Sequence, residues 1–185
     1  MDKLQSFLEK LEHEQNISLE DIPEIDLYMD QVIQLFENKF NGTKRNEDDK
    51  ILTKTMINNY AKGKLLFPIK NKKYSKEHIV LISLIYQLKG ALSIKDIQAT
   101  LEGINEKVTE GNMDLDNLYN HYLQDSAENM VSFKEDMQTR IEKSVIVDEE
   151  YLSKVLLIAS LVNMSNLYRR AAEKLVDDII EGESE

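Results

Sequence analysis

The side chains that carry most protein chemistry are few in this chain and lie far apart. The 185 residues include no cysteine and only three histidines, His13, His78 and His121. None of these histidines has the neighbour that a zinc site needs, so each is expected at the surface or at a helix end. The absence of cysteine excludes disulfides and thiolate chemistry and is typical of a reducing compartment. We expect no metal, no cofactor and no redox activity.

Two short patterns come close to known ligand loops but lack essential residues. Lys62-Gly63-Lys64 has neither the second glycine nor the Lys-Ser/Thr ending of a phosphate-binding loop. Residues 112–123 space three polar side chains like a calcium loop, but Asn117 stands where glycine is needed and Leu123 where glutamate is needed. Carboxylates are abundant, and no pair stands out for acid–base catalysis. The sequence therefore predicts a protein that is not an enzyme and has no catalytic residues.

A cluster of lysines between Ile51 and Lys76 is the most distinctive chemical feature. This segment holds seven lysines and no acidic residue. The whole chain has 23 basic and 34 acidic residues, which leaves 16 basic against 34 acidic, a net charge of −18, outside the segment. A lysine run is often only a solvated surface. Because clustered like charges repel one another, a segment this basic in an acidic chain also favours a polyanionic partner such as a phosphate backbone.

Local signals place the lysines on defined elements. Thr53 can cap a helix over 54–62 whose inner side carries Met56, Ile57 and Tyr60, with Gly63 as a left-handed terminating residue. The outer side then presents Lys54, Thr55, Asn58, Asn59 and Lys62.

The segment continues with an apolar stretch, 65–68, and a basic hairpin or wing over 69–74. Ser75 caps the next helix, buried from Ile79 to Leu88 and closed by Gly90. Ser93 and Asp96 form a capping box that opens a helix over 94–102.

The region before the lysine cluster predicts two helices. The first is short, with the apolar residues Leu4, Phe7, Leu8 and Leu11. The second runs from Pro23 to about Phe40 and is followed by a turn-rich loop, 41–50. The predicted inner side of this second helix consists of Ile25, Tyr28, Met29, Val32, Leu35 and Phe36.

The C-terminal part is predicted to be helical and to self-associate. Residues 1–102 and 114–185 form two domains joined by a polar linker, 103–113. A helix over 114–142, either continuous or broken near 124–129, precedes one over 149–181 that is capped by Asp148. The last helix is apolar nearly all round, which predicts a homodimer through Tyr151–Ile180. The aromatic and methionine residues of both helices, 114–142 and 149–181, could also line an effector cavity, although core or dimer contacts are the commoner use.

The order of capped helix, apolar stretch, basic wing and buried helix resembles the winged-helix DNA-binding domain of the MerR family. The matching residues are Ile57, Tyr60, Leu65-Leu66, Pro68, Lys73-Tyr74-Ser75, Glu77 and Ser93-Ile94-Lys95-Asp96-Ile97. Asn58 and Asn59 stand where that family usually has Arg and Tyr. Over most of its length the chain also resembles a bacterial family known only as domain of unknown function 1836. The resemblance implies a mostly α fold, with a MerR-like winged helix-turn-helix, a small β wing and a C-terminal helical dimerisation region.

The function expected from these features is sequence-specific binding of double-stranded DNA by a cytoplasmic transcriptional regulator, with no membrane segment. Lys54, Thr55, Asn58, Asn59 and Lys62 would face the major groove. In the wing, Lys70, Lys72 and Lys73 would hold phosphates while Tyr74 packs at its base. The alternative is a non-enzymatic protein-interaction module whose helix-turn-helix no longer binds DNA and instead docks an acidic partner.

Overall fold

The computed structural model describes Leu4, Leu8 and residues 16–144 and 149–182. The described residues are mostly helical and contain one two-stranded sheet, so the predicted mostly α class is confirmed. Its main elements are β1 (Leu27–Tyr28), α1 (Met29–Phe40), α2 (Lys54–Lys62), β2 (Lys73–Tyr74), α3 (Lys76–Leu88), α4 (Ile94–Glu110), α5 (Leu115–Ser144) and α6 (Glu150–Gly182). Across the described ranges, no helix is long and apolar enough to cross a membrane. The chain divides into two compact units, residues 1–124 and 125–185.

Helix α3 lies at the centre of the first unit. Ile79 through Ile82 and Ile85 are at most 1% exposed. A helix that is buried on nearly every side needs neighbours all round, and the core around it contains residues of α1, α2 and α4. From α1, Phe40 stacks on Tyr86 with 4.7 Å between ring centroids. The lysine-rich elements are therefore mounted on a fully packed core.

The small sheet joins the start of α1 to the basic segment. Leu27 pairs with Tyr74 and Tyr28 with Lys73 in antiparallel register. Lys70 also bridges Lys73, and the two residues between them have φ of 52° and 58°. Two successive positive φ values are the signature of a tight two-residue hairpin turn. The basic hairpin predicted over 69–74 thus has its turn at Asn71-Lys72.

Helix α1 starts six residues later than its sequence pattern predicts. Residues 27 and 28 are extended because they pair with β2, and the helix begins only at Met29. The Tyr28 N–H donates to Gln31 Oε1 at 2.8 Å, which satisfies one free donor at this end. Ile25 is 69% and Tyr28 55% exposed, so their predicted inward placement is wrong, whereas Val32 and Phe36 are fully buried as expected.

Helix α2 has the predicted bounds but a different ending. Its cap is as predicted, with Thr53 Oγ1 accepting from the Met56 N–H at 3.1 Å. Gly63 has an ordinary φ of −77°, and the left-handed residue is Lys64, with φ of 57°. Space rather than a left-handed φ favours glycine at 63, because a Cβ there would lie 2.7 Å from Cδ1 of the buried Leu65 and 3.1 Å from the Asn59 carbonyl oxygen. The Leu65 N–H then donates to the Tyr60 carbonyl at 3.0 Å, closing the helix end.

The two helices after Gly90 are both longer than predicted. The Ser93–Asp96 capping box is present, but α4 runs to Glu110 and ends at Gly111, with φ of 72°. Most of the expected linker, 103–113, is therefore helical. Helix α5 is continuous from Leu115 to Ser144, without the break considered near 124–129, although the boundary between the compact units falls at 124/125.

The second unit is a pair of helices with a small interior. Arg140 Nη1 of α5 donates to Ser160 Oγ of α6 at 2.6 Å. Among the described residues of this unit, only Met137, Leu157 and Val176 are buried apolar side chains. Helix α6 closely follows the predicted 149–181. Its expected cap, Asp148, lies outside the described residues, as do Phe7 and Leu11 of the predicted first helix; Leu4 and Leu8 are helical, and Leu8 is buried.

Candidate nucleic-acid interface

Helix α2 separates its buried and exposed residues cleanly. Ile57 is fully buried and Tyr60 is 4% exposed, which fixes the helix to the core. The opposite side presents five exposed polar residues, none of them acidic: Lys54, Thr55, Asn58, Asn59 and Lys62. Asparagine and lysine side chains free of a core role can make hydrogen bonds to base edges and phosphates. The structure thus brings these five predicted site residues together on one helix face.

The hairpin presents a second set of basic side chains. Lys70 and Lys72 are exposed beside and within the turn, and Lys73 is half-buried. Tyr74 is only 3% exposed, and burial raises the pKa of its phenol. Its ring meets the edge of His78 at 5.9 Å between centroids. Tyr74 therefore supports the base of the hairpin, as expected, and cannot contact a ligand directly.

Two contacts at the start of α1 connect the helix face to the hairpin. Lys54 Nζ of α2 lies 2.7 Å from Asp30 Oδ1. Lys73 Nζ of the hairpin lies 5.4 Å from the centre of the Tyr28 ring, within cation–π range. Because Tyr28 and Asp30 are two residues apart, the first turn of α2 and the base of the hairpin flank the same edge of the unit.

A buried histidine holds the root of the hairpin. His78 is 3% exposed, so its predicted position at a helix end is right but a surface location is wrong. Its Nδ1 accepts from the Ser75 N–H at 3.2 Å, which leaves Nε2 as the donor to the Phe67 carbonyl at 3.3 Å. Burial lowers the pKa of His78, favouring this neutral form. The sequence signal that could have predicted this arrangement is the spacing Ser75-x-x-His78, in which histidine takes the acceptor position of a capping box.

Acidic neighbours neutralise part of the lysine cluster, which the sequence analysis did not anticipate. Lys76 Nζ lies 2.7 Å from Asp116 Oδ2, and this hydrogen bond raises the pKa of Lys76. Asp30 forms an ion pair with Lys54 at 2.7 Å. Both acids come from elements distant in sequence, so spacing within the basic segment gave no indication of them. The exposed basic surface is consequently concentrated at Lys62, Lys64, Lys70 and Lys72.

Asn105 of α4 fixes the far end of α2. Its Nδ2 donates to the Leu65 carbonyl at 3.1 Å and to the Leu101 carbonyl at 2.9 Å. Its Oδ1 is buried without a hydrogen-bond partner in the described structure. Burying an amide oxygen without a hydrogen-bond partner costs free energy. The two hydrogen bonds that Nδ2 donates therefore indicate that Asn105 serves to position the backbone. Asn105 thereby holds the turn that follows the exposed face of α2.

No group of three or more His, Asp or Glu side chains that could hold a metal ion occurs within residues 16–144 and 149–182. A groove in the second unit is lined by Asp136, Arg140, Lys143 and Ser160 together with neighbouring residues of both helices. Arg140 there is already bound to Asp136, with 2.5 Å between Nε and Oδ2, and to Ser160. These contacts make it a structural cross-link between α5 and α6.

Comparison with models of protein families gives a match over most of the first unit. The model of a family described as a domain of unknown function (DUF1836) matches residues 17–122, which include both halves of the basic surface. No curated protein and no solved structure matches the chain.

Proposed function

The chain belongs to the DUF1836 family, whose model covers more than half of its residues, and since that family's description states no activity, we propose from the geometry of the first unit that the protein binds double-stranded DNA. In this proposal α2 enters the major groove and the 70–73 hairpin acts as a wing, in the manner of a MerR-like transcriptional regulator. The unit would use no catalytic residue and no cofactor.

The observation that carries the proposal is that the exposed face of α2 and the hairpin lie at the same edge of the first unit, beside the start of α1. Lys54 reaches Asp30 and Lys73 reaches Tyr28 at the start of α1. Two basic elements fixed beside each other on a rigid core can contact one duplex together. A lysine run that served only as a solvated surface would not need two elements held side by side on the core.

The two elements would make different contributions. Asn58 is exposed one turn after Lys54, and an asparagine in the major groove can make two hydrogen bonds to adenine. Lys70 and Lys72 at the hairpin would contact phosphates, which hold the protein in register without reading sequence. Affinity for all DNA should therefore depend on the hairpin, and preference among sequences on α2.

The test begins by selecting bound fragments from random duplex DNA at two salt concentrations. Asn58→Ala should lower affinity for the selected site by about tenfold, since a bidentate base contact is worth about 1–3 kcal/mol, and should leave scrambled DNA unaffected. Lys72→Ala should weaken binding to both duplexes and reduce the salt slope by about one.

Lys174→Ala is the matched control for charge. Lys174 is 64% exposed on α6 in the second unit, and its removal should leave the salt slope at the parent value. Absence of any salt-dependent duplex binding by the parent protein would overturn the proposal. Lysine-dependent capture of an acidic protein instead would favour the alternative, an interaction module built on the same helix face.

A further inference from the structure

Helix α6 carries apolar residues on two opposite sides along its first half. Leu157 is 8% exposed and lines a groove together with residues of α5, and Met164 is half-buried on the same side of α6. Half a helical turn away, Val155, Ile158 and Val162 are 41%, 60% and 54% exposed. These outward residues follow the i, i+3, i+7 spacing of a helix–helix seam. Within the part of the chain that the structure describes, one side of this segment is buried and the other is exposed.

The uncovered side forms a continuous strip. We call it the outer strip and define it as Tyr151, Val155, Ile158, Ala159, Val162 and Asn166; all but Tyr151 line one shallow groove. None of its members is charged. The strip covers 16 residues of helix, about 24 Å at 1.5 Å per residue, which is long enough for a helix to lie along it.

The charges around the outer strip indicate what covers it. Glu149 and Glu150 immediately precede the strip, Arg169 and Arg170 follow it, and Lys154 is the only charged residue between them. Glu150 pairs with Lys154 and Arg169 with Glu173, so Glu149 and Arg170 supply the net negative and net positive charge that remains at the two ends. A second copy of α6 running antiparallel places the acidic end of each strip beside the basic end of the other. A parallel copy would place like charges together, which is unfavourable.

We propose that the outer strip binds the same strip of a second copy, antiparallel about a two-fold axis near Ile158 and Ala159. The face is self-complementary in both apolar pattern and charge, as a two-fold interface requires. This inference extends the predicted homodimer by assigning its face, orientation and centre. It does not depend on DNA binding, because the strip lies outside the basic surface.

The first test measures mass in solution for the full chain over a concentration series, by sedimentation equilibrium. The parent should be a dimer, and Ile158→Glu should raise its dissociation constant by about 100-fold or more, because each dimer would bury two unpaired carboxylates at its centre. Ile25→Glu is the matched control: Ile25 is 69% exposed in the first unit, and its replacement should leave the dimer intact. Circular dichroism verifies that both variants stay helical.

The second test determines orientation with single cysteines, which are unique because the chain has none of its own. Ala159→Cys should form a disulfide-linked dimer upon mild oxidation. Val155→Cys alone should not, whereas a mixture of Val155→Cys and Val162→Cys should, since a disulfide needs Cβ atoms about 4 Å apart. Efficient self-linking by Val155→Cys would overturn the antiparallel arrangement. A parent protein that stays monomeric, or a dimer insensitive to Ile158→Glu, would overturn the interface itself.

Discussion

The two compact units differ in how completely they bury their apolar side chains. In residues 16–124 only Ile25, Tyr28 and Ile94 are exposed large apolar residues, whereas α6 alone exposes eleven. Both units consist mainly of capped or amphipathic helices, so helix formation does not distinguish them. The difference is that the first unit covers its central helix α3 on nearly every side, while the described residues of the second unit form two helices that leave much of α6 exposed. The first unit buries its own apolar side chains, and the exposed apolar surface of the second is the surface that the proposed dimer would cover.

The strongest test of this contrast replaces one phenylalanine in each unit with alanine. Phe36 is fully buried beside Phe40 and Tyr86, and Phe36→Ala should lower the free energy of unfolding by about 3–5 kcal/mol. Phe133 of α5 is 37% exposed, and Phe133→Ala should cost less than about 1 kcal/mol. Urea unfolding followed by circular dichroism measures both. Equal losses would contradict the proposed difference in packing.

A smaller effect is expected from the pH dependence that His78 gives the first unit. Because the pKa of His78 lies below its ordinary value of 6.5 in the folded protein, the unfolded chain binds a proton more readily as pH falls. The free energy of unfolding should therefore decrease below about pH 6.5. His78→Gln keeps an acceptor for the Ser75 N–H and should cost about 1 kcal/mol at pH 7 while flattening this dependence.

His121→Gln is the control for the pH experiment, since it also replaces an imidazole with an amide but at an exposed position on α5. The variant should keep the parent's pH dependence. A parent whose stability is constant between pH 7 and pH 5 would show that the Ser75–His78–Phe67 contacts contribute nothing beyond packing.

The smallest expected effect is a change in DNA affinity that leaves dimerisation unchanged. It would show that the basic surface of the first unit and the outer strip of the second act independently. Asp30 and Lys54 are 73% and 64% exposed, so their ion pair contributes little to stability. Asp30→Asn removes a negative charge that would face the DNA and should raise duplex affinity by about three- to tenfold. The dimer dissociation constant should not change. A variant that binds DNA more weakly would show that Asp30 positions Lys54 for contact.

The sequence predicted those parts of the fold that are determined within a few residues. Thr53 and Ser93 are caps whose partners lie three residues ahead, and both helix starts have the predicted positions. The start of α1 was missed because β1 pairs with residues 73–74, far along the chain, and that pairing overrides the helix-opening signal at Pro23. The ending of α2 was misassigned for a similar reason, since contact with Leu65 determines the role of Gly63.

The candidate site shows the same division between local and distant effects. Helical periodicity was enough to place Asn58 and Lys62 on an exposed face and Tyr60 in the core. It could not reveal Asp30 beside Lys54 or Asp116 beside Lys76, because those pairs form only when separate elements pack. Charge counted along a segment therefore overestimated the basic surface, which depends on tertiary neighbours.

The turn at Asn71-Lys72 also affects the entropy of any binding event at the hairpin. Both residues already hold positive φ values, a conformation that side-chain-bearing residues adopt rarely and that the pairing of Lys70 with Lys73 maintains. Ordering one residue of a flexible loop costs about 1–2 kcal/mol at 25 °C. Because folding already orders this hairpin, a ligand that binds there does not incur this entropic cost. Lengthening the turn with glycines would keep every lysine and still weaken binding, through entropy alone.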